Sequence, residues 1–143
     1  MALTFSILVT DNISGSGLQP LRDDDQFELV EINDSSSEEF LNALTSADGL
    51  IVRSATKVDS KILAQAQSLK VIGRAGVGVD NIDVDVATER GIAVLNAPAG
   101  NTVSAAELTL ALMLSVVRRV PGADASVRRG EWDRRRFKGA ELR

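Results

Sequence analysis

Short apolar runs recur about every 20 residues through the first two-thirds of the chain, and segments with helical spacing separate them. Several of these runs are apolar throughout, which is typical of strands covered on both faces of a sheet. One run instead alternates apolar and polar residues, as an edge strand does. The runs cover residues 5–11, 27–32, 49–52, 69–72 and 92–95.

This strand–helix alternation predicts an α/β domain of flavodoxin-like topology over residues 1–98. Its parallel sheet should have about five strands, wound by β-α-β connections. Ligands of such sheets bind at the carboxyl ends of the strands. We therefore expect a binding site in the loops that follow Val9, Val52, Ile72 and Leu95.

Composition narrows the chemistry that this chain can perform. The 143 residues include no cysteine and no histidine, which excludes disulfides, thiolate nucleophiles, cysteine metal sites and histidine general bases. The net charge of −4 disfavours a nucleic-acid-binding protein, and we expect no metal site. The apolar segments are too short to span a membrane. Because no positive charge precedes the first apolar run, we expect no signal peptide and a cytoplasmic location.

The chain after the fifth strand breaks the alternation. Ser104 and Glu107 have the spacing of a capping box, and the sequence predicts a helix from Leu108 to about Val120. Residues 105–117 are apolar on nearly every side, so this helix should be buried all round. A single sheet can cover only one of its faces. Another domain or another subunit must therefore cover the rest.

Charge is distributed unevenly along the chain. Residues 118–143 carry nine basic and four acidic side chains, a balance of +5, whereas residues 1–117 have a balance of −9. Such a basic segment is a solvated helix face, an anion site or an interface with an acidic partner surface. Trp132 and Phe137 flank a run of arginines, but the acidic remainder of the chain argues against nucleic-acid contact.

A glycine-rich turn follows the fourth strand. Gly76-Val77-Gly78 begins like a dinucleotide-binding fingerprint, but Asn81 stands where the third glycine belongs, and no full helix opens at the second. Two interpretations stay open. The turn is either a nest of N–H groups that can hold a carboxylate or phosphate, or a tight turn whose glycines need a positive φ.

Basic and hydroxyl side chains stand at two of the expected strand ends. Arg53 and Ser54 follow the third strand, and Arg74 precedes the glycine turn. Guanidinium forks suit an anionic ligand, although a single such arginine more often forms a surface salt bridge. Together with the turn, these residues favour an anion site. Asp11 would fit a phospho-receiver domain, but the third and fifth strand ends lack the aspartate and lysine that such a domain needs.

Longer runs carry a resemblance to a known family. They are residues 53–58, 73–83, 96–107 and 130–137. Through these runs the chain closely resembles the NAD-dependent D-2-hydroxyacid dehydrogenases, in particular the branch that acts on 3-phosphoglycerate. The likeness covers essentially all 143 residues.

The resemblance implies a role for each residue of the expected anion site. Arg53, Ser54 and Arg74 would face the phosphate of the substrate. The turn Gly76-Val77-Gly78 would offer its N–H groups to the substrate carboxylate, and Val77 would also lie near the nicotinamide of NAD. Two later residues complete the implied site.

Asn101 would stand close to substrate and cofactor, and Arg134 would reach the site of a neighbouring subunit. Residues 99–143 would be interdomain helices that begin the cofactor-binding domain. The segment 102–143 would join the chain into a homo-oligomer.

The resemblance also implies what the chain lacks. In the family a Rossmann domain follows, which binds NAD and carries the catalytic arginine and a Glu–His pair. We therefore expect the N-terminal, substrate-binding part of an oxidoreductase, with no catalytic residues of its own. The reaction would convert 3-phosphoglycerate to 3-phosphohydroxypyruvate in serine biosynthesis. Alone, the chain should be inactive and bind substrate weakly at most. The alternative is a stand-alone anion-binding or regulatory module.

Overall fold

The computed structural model describes residues 4–142. The chain divides into two compact units, Met1–Gly100 and Asn101–Arg143. The predicted assignment of residues 1–98 and 99–143 to two functional domains stays a prediction. Residues 1–3 and 143 of those predicted domains lie outside the described residues.

The first unit is built on a sheet of five parallel strands. They are β1 Phe5–Val9, β2 Phe27–Glu31, β3 Gly49–Val52, β4 Val71–Arg74 and β5 Ala93–Asn96. Their order is β2-β1-β3-β4-β5, and each neighbouring pair is parallel. This is the flavodoxin-like order, so the predicted fold class is confirmed. The alternating strand β2 lies at an edge of the sheet, where one of its faces meets solvent.

Helices connect the strands, and a polar side chain caps the start of each. The helices are α1 Gly15–Arg22, α2 Glu38–Ser46, α3 Ser60–Gln65 and α4 Val84–Glu89. Oxygen atoms of the cap residues accept N–H bonds that the first helical turn would otherwise leave unpaired. The cap residues are Ser14, Ser37, Asp59 and Asp83.

Residues 12–17 are rich in glycine and serine, a composition that predicts a loop, but the helix α1 begins within them. The Ser14 hydroxyl accepts a bond from the N–H of Gly17 at 3.3 Å, and α1 follows. Leu18 of this helix is 1% exposed and packs with apolar residues of β1. Two glycines and Pro20 give the segment a low helix propensity, so burial of Leu18 decides its conformation.

Apolar side chains fill both faces of the sheet. The larger cluster packs α2, α3 and α4 against the central strands, with Phe40, Leu50 and Ile72 almost wholly buried. The smaller cluster packs α1 against β1 and β2. At the other edge, β5 is largely exposed, and 60% of the surface of Leu95 is accessible. The interior is therefore densest around β1, β3 and β4.

The second unit contains the helices α5 Thr102–Val117 and α6 Val120–Arg128. No residue of α5 is buried. Leu108, Leu112 and Val116, which share one face of this helix, are 59%, 57% and 74% exposed. The described residues of this chain therefore do not cover α5, and its apolar surface lacks the partner that the sequence predicts.

Both ends of α5 differ from the prediction. Asn101 is the N-cap residue and its carbonyl already accepts an N–H bond from four residues on, so Ser104 lies inside the helix. The predicted capping box of Ser104 with Glu107 is wrong. At the other end, Arg119 takes a left-handed φ of 55°, and Pro121 lies in the first turn of α6. A proline is tolerated there because its missing N–H would have no helical partner anyway.

Candidate functional site

The carboxyl ends of three neighbouring strands meet at one edge of the sheet. The register of β1, β3 and β4 brings the loops that follow them together. The N–H of Thr10 donates to the carbonyl of Ile51 at 3.0 Å, and the N–H of Ala75 donates to the carbonyl of Val52 at 2.8 Å. The first residue of each of these two loops is therefore hydrogen-bonded to β3. A cavity of about 270 Å³ lies between these loops, at the point where the strand order reverses. Its lining consists of Asn12, Ile13, Ser14, Arg53 and Ala75.

Arg53 and Arg74 stand at this edge without an acidic partner. The ion pairs found within residues 4–142 join other side chains, so neither arginine forms the surface salt bridge that was the alternative. Arg74 is half-buried, and its Nε is buried without an acceptor. Arg53 and Ser54 are exposed. Arg74 lines a separate cavity of about 210 Å³ at the ends of β4 and β5, which shares Ala75 with the cavity that Arg53 lines. Anionic groups at this edge would give these side chains the acceptors that the described residues do not supply.

The glycine turn does not use the left-handed backbone conformation. Among the described glycines, only Gly91 and Gly130 have a positive φ, so the interpretation that Gly76 and Gly78 need one is wrong. Their requirement is steric. A Cβ at Gly76 would overlap the guanidinium of Arg74, and a Cβ at Gly78 would come within 2.8 Å of a carboxylate oxygen.

The turn also presents unpaired donors. The N–H groups of Val77 and Gly78 have no acceptor among the described residues, whereas the N–H of Gly76 donates to the carbonyl of Arg74 at 2.7 Å. The Asn96 amide donates to the carbonyl of Val77 at 2.6 Å, which fixes the plane of that peptide group. Two free N–H groups beside a guanidinium are an arrangement that can hold a carboxylate or phosphate.

Asp11 fixes the loop that carries Arg53. Its Oδ2 accepts the N–H groups of Arg53 and Thr56 at 2.7 and 3.1 Å, and its Oδ1 accepts the hydroxyl of Thr56 at 2.6 Å. Asp11 and Asn12 have left-handed φ values of 64° and 50°, which Asp and Asn tolerate better than other residues with a Cβ. The sequence pattern relates Asp11 only to a phospho-receiver domain, which the other strand ends argue against. An Asp-Asn pair directly after a buried strand is the signal that points to this structural one.

Asn81 holds the same loop through its carbonyl groups. Its Nδ2 donates to the carbonyls of Arg53 and Thr56, both at 2.7 Å. Its backbone carbonyl accepts the N–H of Val58 at 2.8 Å, and a parallel bridge joins Val58 to Ile82. These bonds require an amide side chain at position 81, where a dinucleotide fingerprint would have its third glycine.

Asn101 and Arg134 belong to the second unit. Asn101 is exposed and its side chain makes no capping bond. Arg134 forms no ion pair within residues 4–142, and it lines an apolar cavity of about 270 Å³ beside Trp132 and Phe137. It also borders a second cavity of about 590 Å³, which further basic side chains surround. The roles implied for Asn101 and Arg134 stay predictions.

Glu131 closes the end of α6. Its carboxylate accepts two bonds from the Arg129 guanidinium, at 2.9 and 3.1 Å, and one from the buried hydroxyl of Ser126 at 2.8 Å. These bonds, those from Arg129 foremost, lower the pKa of Glu131 from 4.5 to about 2. They fix the chain where it enters the segment that contains Arg134.

No group of three or more acidic, histidine or cysteine side chains is placed to hold a metal ion between residues 4 and 142. Over the same span, no helix combines the length and the apolar character needed to cross a membrane.

The chain is similar in sequence to known proteins over most of its length. Residues 7–138 match the family described as D-isomer specific 2-hydroxyacid dehydrogenase, catalytic domain. A D-3-phosphoglycerate dehydrogenase of Methanocaldococcus jannaschii is 52% identical over 136 residues, which are 95% of this chain and 26% of the relative. One of Bacillus subtilis is 49% identical over 138 residues, or 96% of this chain and 26% of the relative. The chain thus spans about a quarter of the length of these relatives.

The fold is also similar to that of solved structures. The 3-phosphoglycerate dehydrogenase of Entamoeba histolytica, with NAD⁺ bound, superimposes with a TM-score of 0.71 at 27% identity. The match covers 98% of this chain and 44% of that structure. The similarity therefore extends over both units of the chain.

The bonds to Glu131 predict its titration. Because its pKa is lowered in the folded chain, the carboxylate stabilises the end of α6 above pH 4.5, and this contribution is lost as pH falls through about 2. The side-chain carbon resonance of Glu131 in NMR spectra should therefore titrate near pH 2. In Arg129→Gln the midpoint should move back towards 4.5. A midpoint near 4.5 in the unsubstituted chain would contradict these bonds.

Proposed function

The chain belongs to the D-isomer specific 2-hydroxyacid dehydrogenase family, and we propose that its first unit holds the anionic ends of 3-phosphoglycerate while the whole protein oxidises that substrate with NAD. The observation that carries the proposal is the pair of arginines without acidic partners at the carboxyl edge of the sheet. The choice of substrate is supported by two relatives, about half identical to the chain, that are both named D-3-phosphoglycerate dehydrogenase.

The substrate has two anionic ends, and the site offers two sets of donors. We assign Arg53, Ser54 and Arg74 to the phosphate, because guanidinium forks match phosphate oxygens. We assign the free N–H groups of Val77 and Gly78 to the carboxylate, since a nest of N–H groups suits one planar anion. With both ends held, the carbon that bears the 2-hydroxyl is fixed between them.

The described residues fit only one end of the proposed cofactor. No Gly-x-Gly-x-x-Gly occurs in the sequence, so no described turn offers a pyrophosphate site of the Rossmann kind. We assign to the nicotinamide the exposed side chain of Val77 and the amide of Asn101, which makes no capping bond. NAD, when bound, supplies the hydride acceptor. The remainder of its site would belong to the part of the relatives that this chain does not cover.

In the proposed reaction the C2–H and O–H bonds of the substrate are broken and a ketone, 3-phosphohydroxypyruvate, is formed. The chain has no histidine, so an imidazole that takes the hydroxyl proton would come from outside it. The described residues bind and orient the substrate. We place the reaction at the first step towards serine, and the protein in the cytoplasm.

We further propose that Arg134 reaches the substrate site of a second copy of the protein. The basic balance of residues 118–143 against the acidic remainder favours contact between copies. The apolar surface of α5 supports the same assembly, since no described residue buries it.

Binding by the 143-residue chain tests the proposed substrate. We expect it to bind 3-phosphoglycerate with a dissociation constant on the order of 1–10 mM, because only part of the site is present. Arg53→Gln should weaken binding about tenfold or more, the value of one charge-assisted contact. Lys70→Gln removes one positive charge from the amino end of β4 and should leave affinity unchanged. NMR titration gives each constant.

The same preparation should not reduce NAD⁺ in the presence of 3-phosphoglycerate, since the proton acceptor is absent. Measurable NADH formation would show that the active site has been misplaced. Failure of the unsubstituted chain to bind 3-phosphoglycerate would favour a module with another anionic ligand.

Self-association tests the proposed contact between copies. Burial of apolar surface yields about 25 cal/mol per Å², so pairing of α5 across a two-fold axis should give dimers at micromolar concentration. Leu108→Glu combined with Leu112→Glu places charge on one apolar face and should yield monomers, whereas Glu107→Gln should not. Sedimentation velocity measures the species. An unsubstituted chain that stays monomeric with α5 intact by circular dichroism would refute the assembly.

A further inference from the structure

We propose that Asp11 and Asn81 are positioning residues, which together hold the loop Arg53–Thr56 so that Arg53 stays at the cavity between the β1, β3 and β4 loops. The inference rests on the proposed binding of the substrate phosphate by this loop. It assigns a function to two side chains that do not themselves have to touch the substrate.

The two residues bind complementary backbone groups of the same two residues, Arg53 and Thr56. Asp11 accepts the N–H groups of Arg53 and Thr56, and Asn81 donates to the carbonyl groups of Arg53 and Thr56. At both ends of this four-residue loop, the backbone N–H and the backbone carbonyl of the end residue are therefore hydrogen-bonded. Ser54 and Ala55 form the tip, which makes no hydrogen bond to a described residue.

Asp11 and Asn81, which together we call the clamp, are attached to different parts of the site. Asp11 lies two residues after the end of β1, and the N–H of the next residue, Asn12, donates to the side-chain oxygen of Asn33 at 2.8 Å. Asn81 follows the glycine turn, and its backbone carbonyl binds the N–H of Val58. The loop that offers Arg53 is consequently linked to the turn that offers free N–H groups.

The arrangement carries features that a loop held only for stability would not need. Asp11 and Asn12 adopt a left-handed backbone, which is unfavourable for residues with a Cβ. The Oδ1 of Asn81 is buried and accepts no hydrogen bond from a described residue, so the orientation that binds the two carbonyls leaves this acceptor unpaired. The bonds hold the backbone of an exposed arginine whose side chain forms no ion pair with residues 4–142. Such pre-organisation improves binding because the loop need not be ordered when the ligand arrives.

Substitutions of the same shape test the clamp in the 143-residue chain. Asp11→Asn turns an amide NH₂ or a neutral oxygen towards the two N–H groups, and Asn81→Asp places a carboxylate against two carbonyl oxygens. Each should lower the affinity for 3-phosphoglycerate about tenfold, by the loss of pre-organisation. Each should also speed amide hydrogen exchange at Arg53 and Thr56, while exchange at Leu50 in β3 stays unchanged.

Matched controls separate the clamp from general effects. Asp34→Asn alters a carboxylate that accepts comparable bonds from Ser36 in an exposed turn, and affinity should be unchanged. If Asp11→Asn does not fold, Thr56→Val and Thr56→Ser replace it. The valine lacks the hydroxyl that binds Asp11 and should weaken binding, and the serine should restore it.

The outcomes also distinguish the clamp from the proposed function. Faster exchange at Arg53 and Thr56 with unchanged affinity would overturn the positioning role while leaving the phosphate site intact. Weakened binding by the clamp variants, with restoration by Thr56→Ser, would support it. If the unsubstituted chain does not bind 3-phosphoglycerate, the proposed function fails and the clamp loses its role with it.

Discussion

Parallel pairing of β1, β3 and β4 is the constraint on which the rest of the first unit depends. Because these three strands are neighbours and point the same way, the loops after them emerge at one edge. Residues far apart in sequence, such as Asp11, Arg53 and Asn81, can then share hydrogen bonds. Burial of apolar side chains such as Leu50 and Ile72 on a face of the sheet stabilises this arrangement.

The sequence predicted those parts of the fold that hydrophobic period and cap chemistry control. Strand alternation indicates the parallel sheet, and the polar residues Asp59 and Ser60 before an apolar run indicate a helix start, which the structure places after Asp59. Predictions failed where distant contacts decide the local structure. The glycine-rich start of α1 has low helix propensity and folds because Leu18 is buried. Ser104 fits a capping box locally, but α5 has already begun at Thr102.

Within the site, residue types at strand ends were predictable and their bonding was not. Arg53, Arg74 and the glycine turn follow from their positions after strands. The role of Asn81 depends on two carbonyls more than 20 residues away in sequence, and no local pattern encodes such a contact. The steric need for Gly76 likewise arises from the side chain of Arg74, not from its own backbone angle.

A map of the amides that respond to 3-phosphoglycerate tests the central claim most directly, because it reports where the ligand lies. Two-dimensional NMR of the labelled chain during titration gives this map. The account predicts that the largest shift changes fall in the Arg53–Thr56 loop and at Val77 and Gly78. Changes confined to the basic segment after α5, or spread evenly over the chain, would contradict an anion site at the carboxyl edge of the sheet.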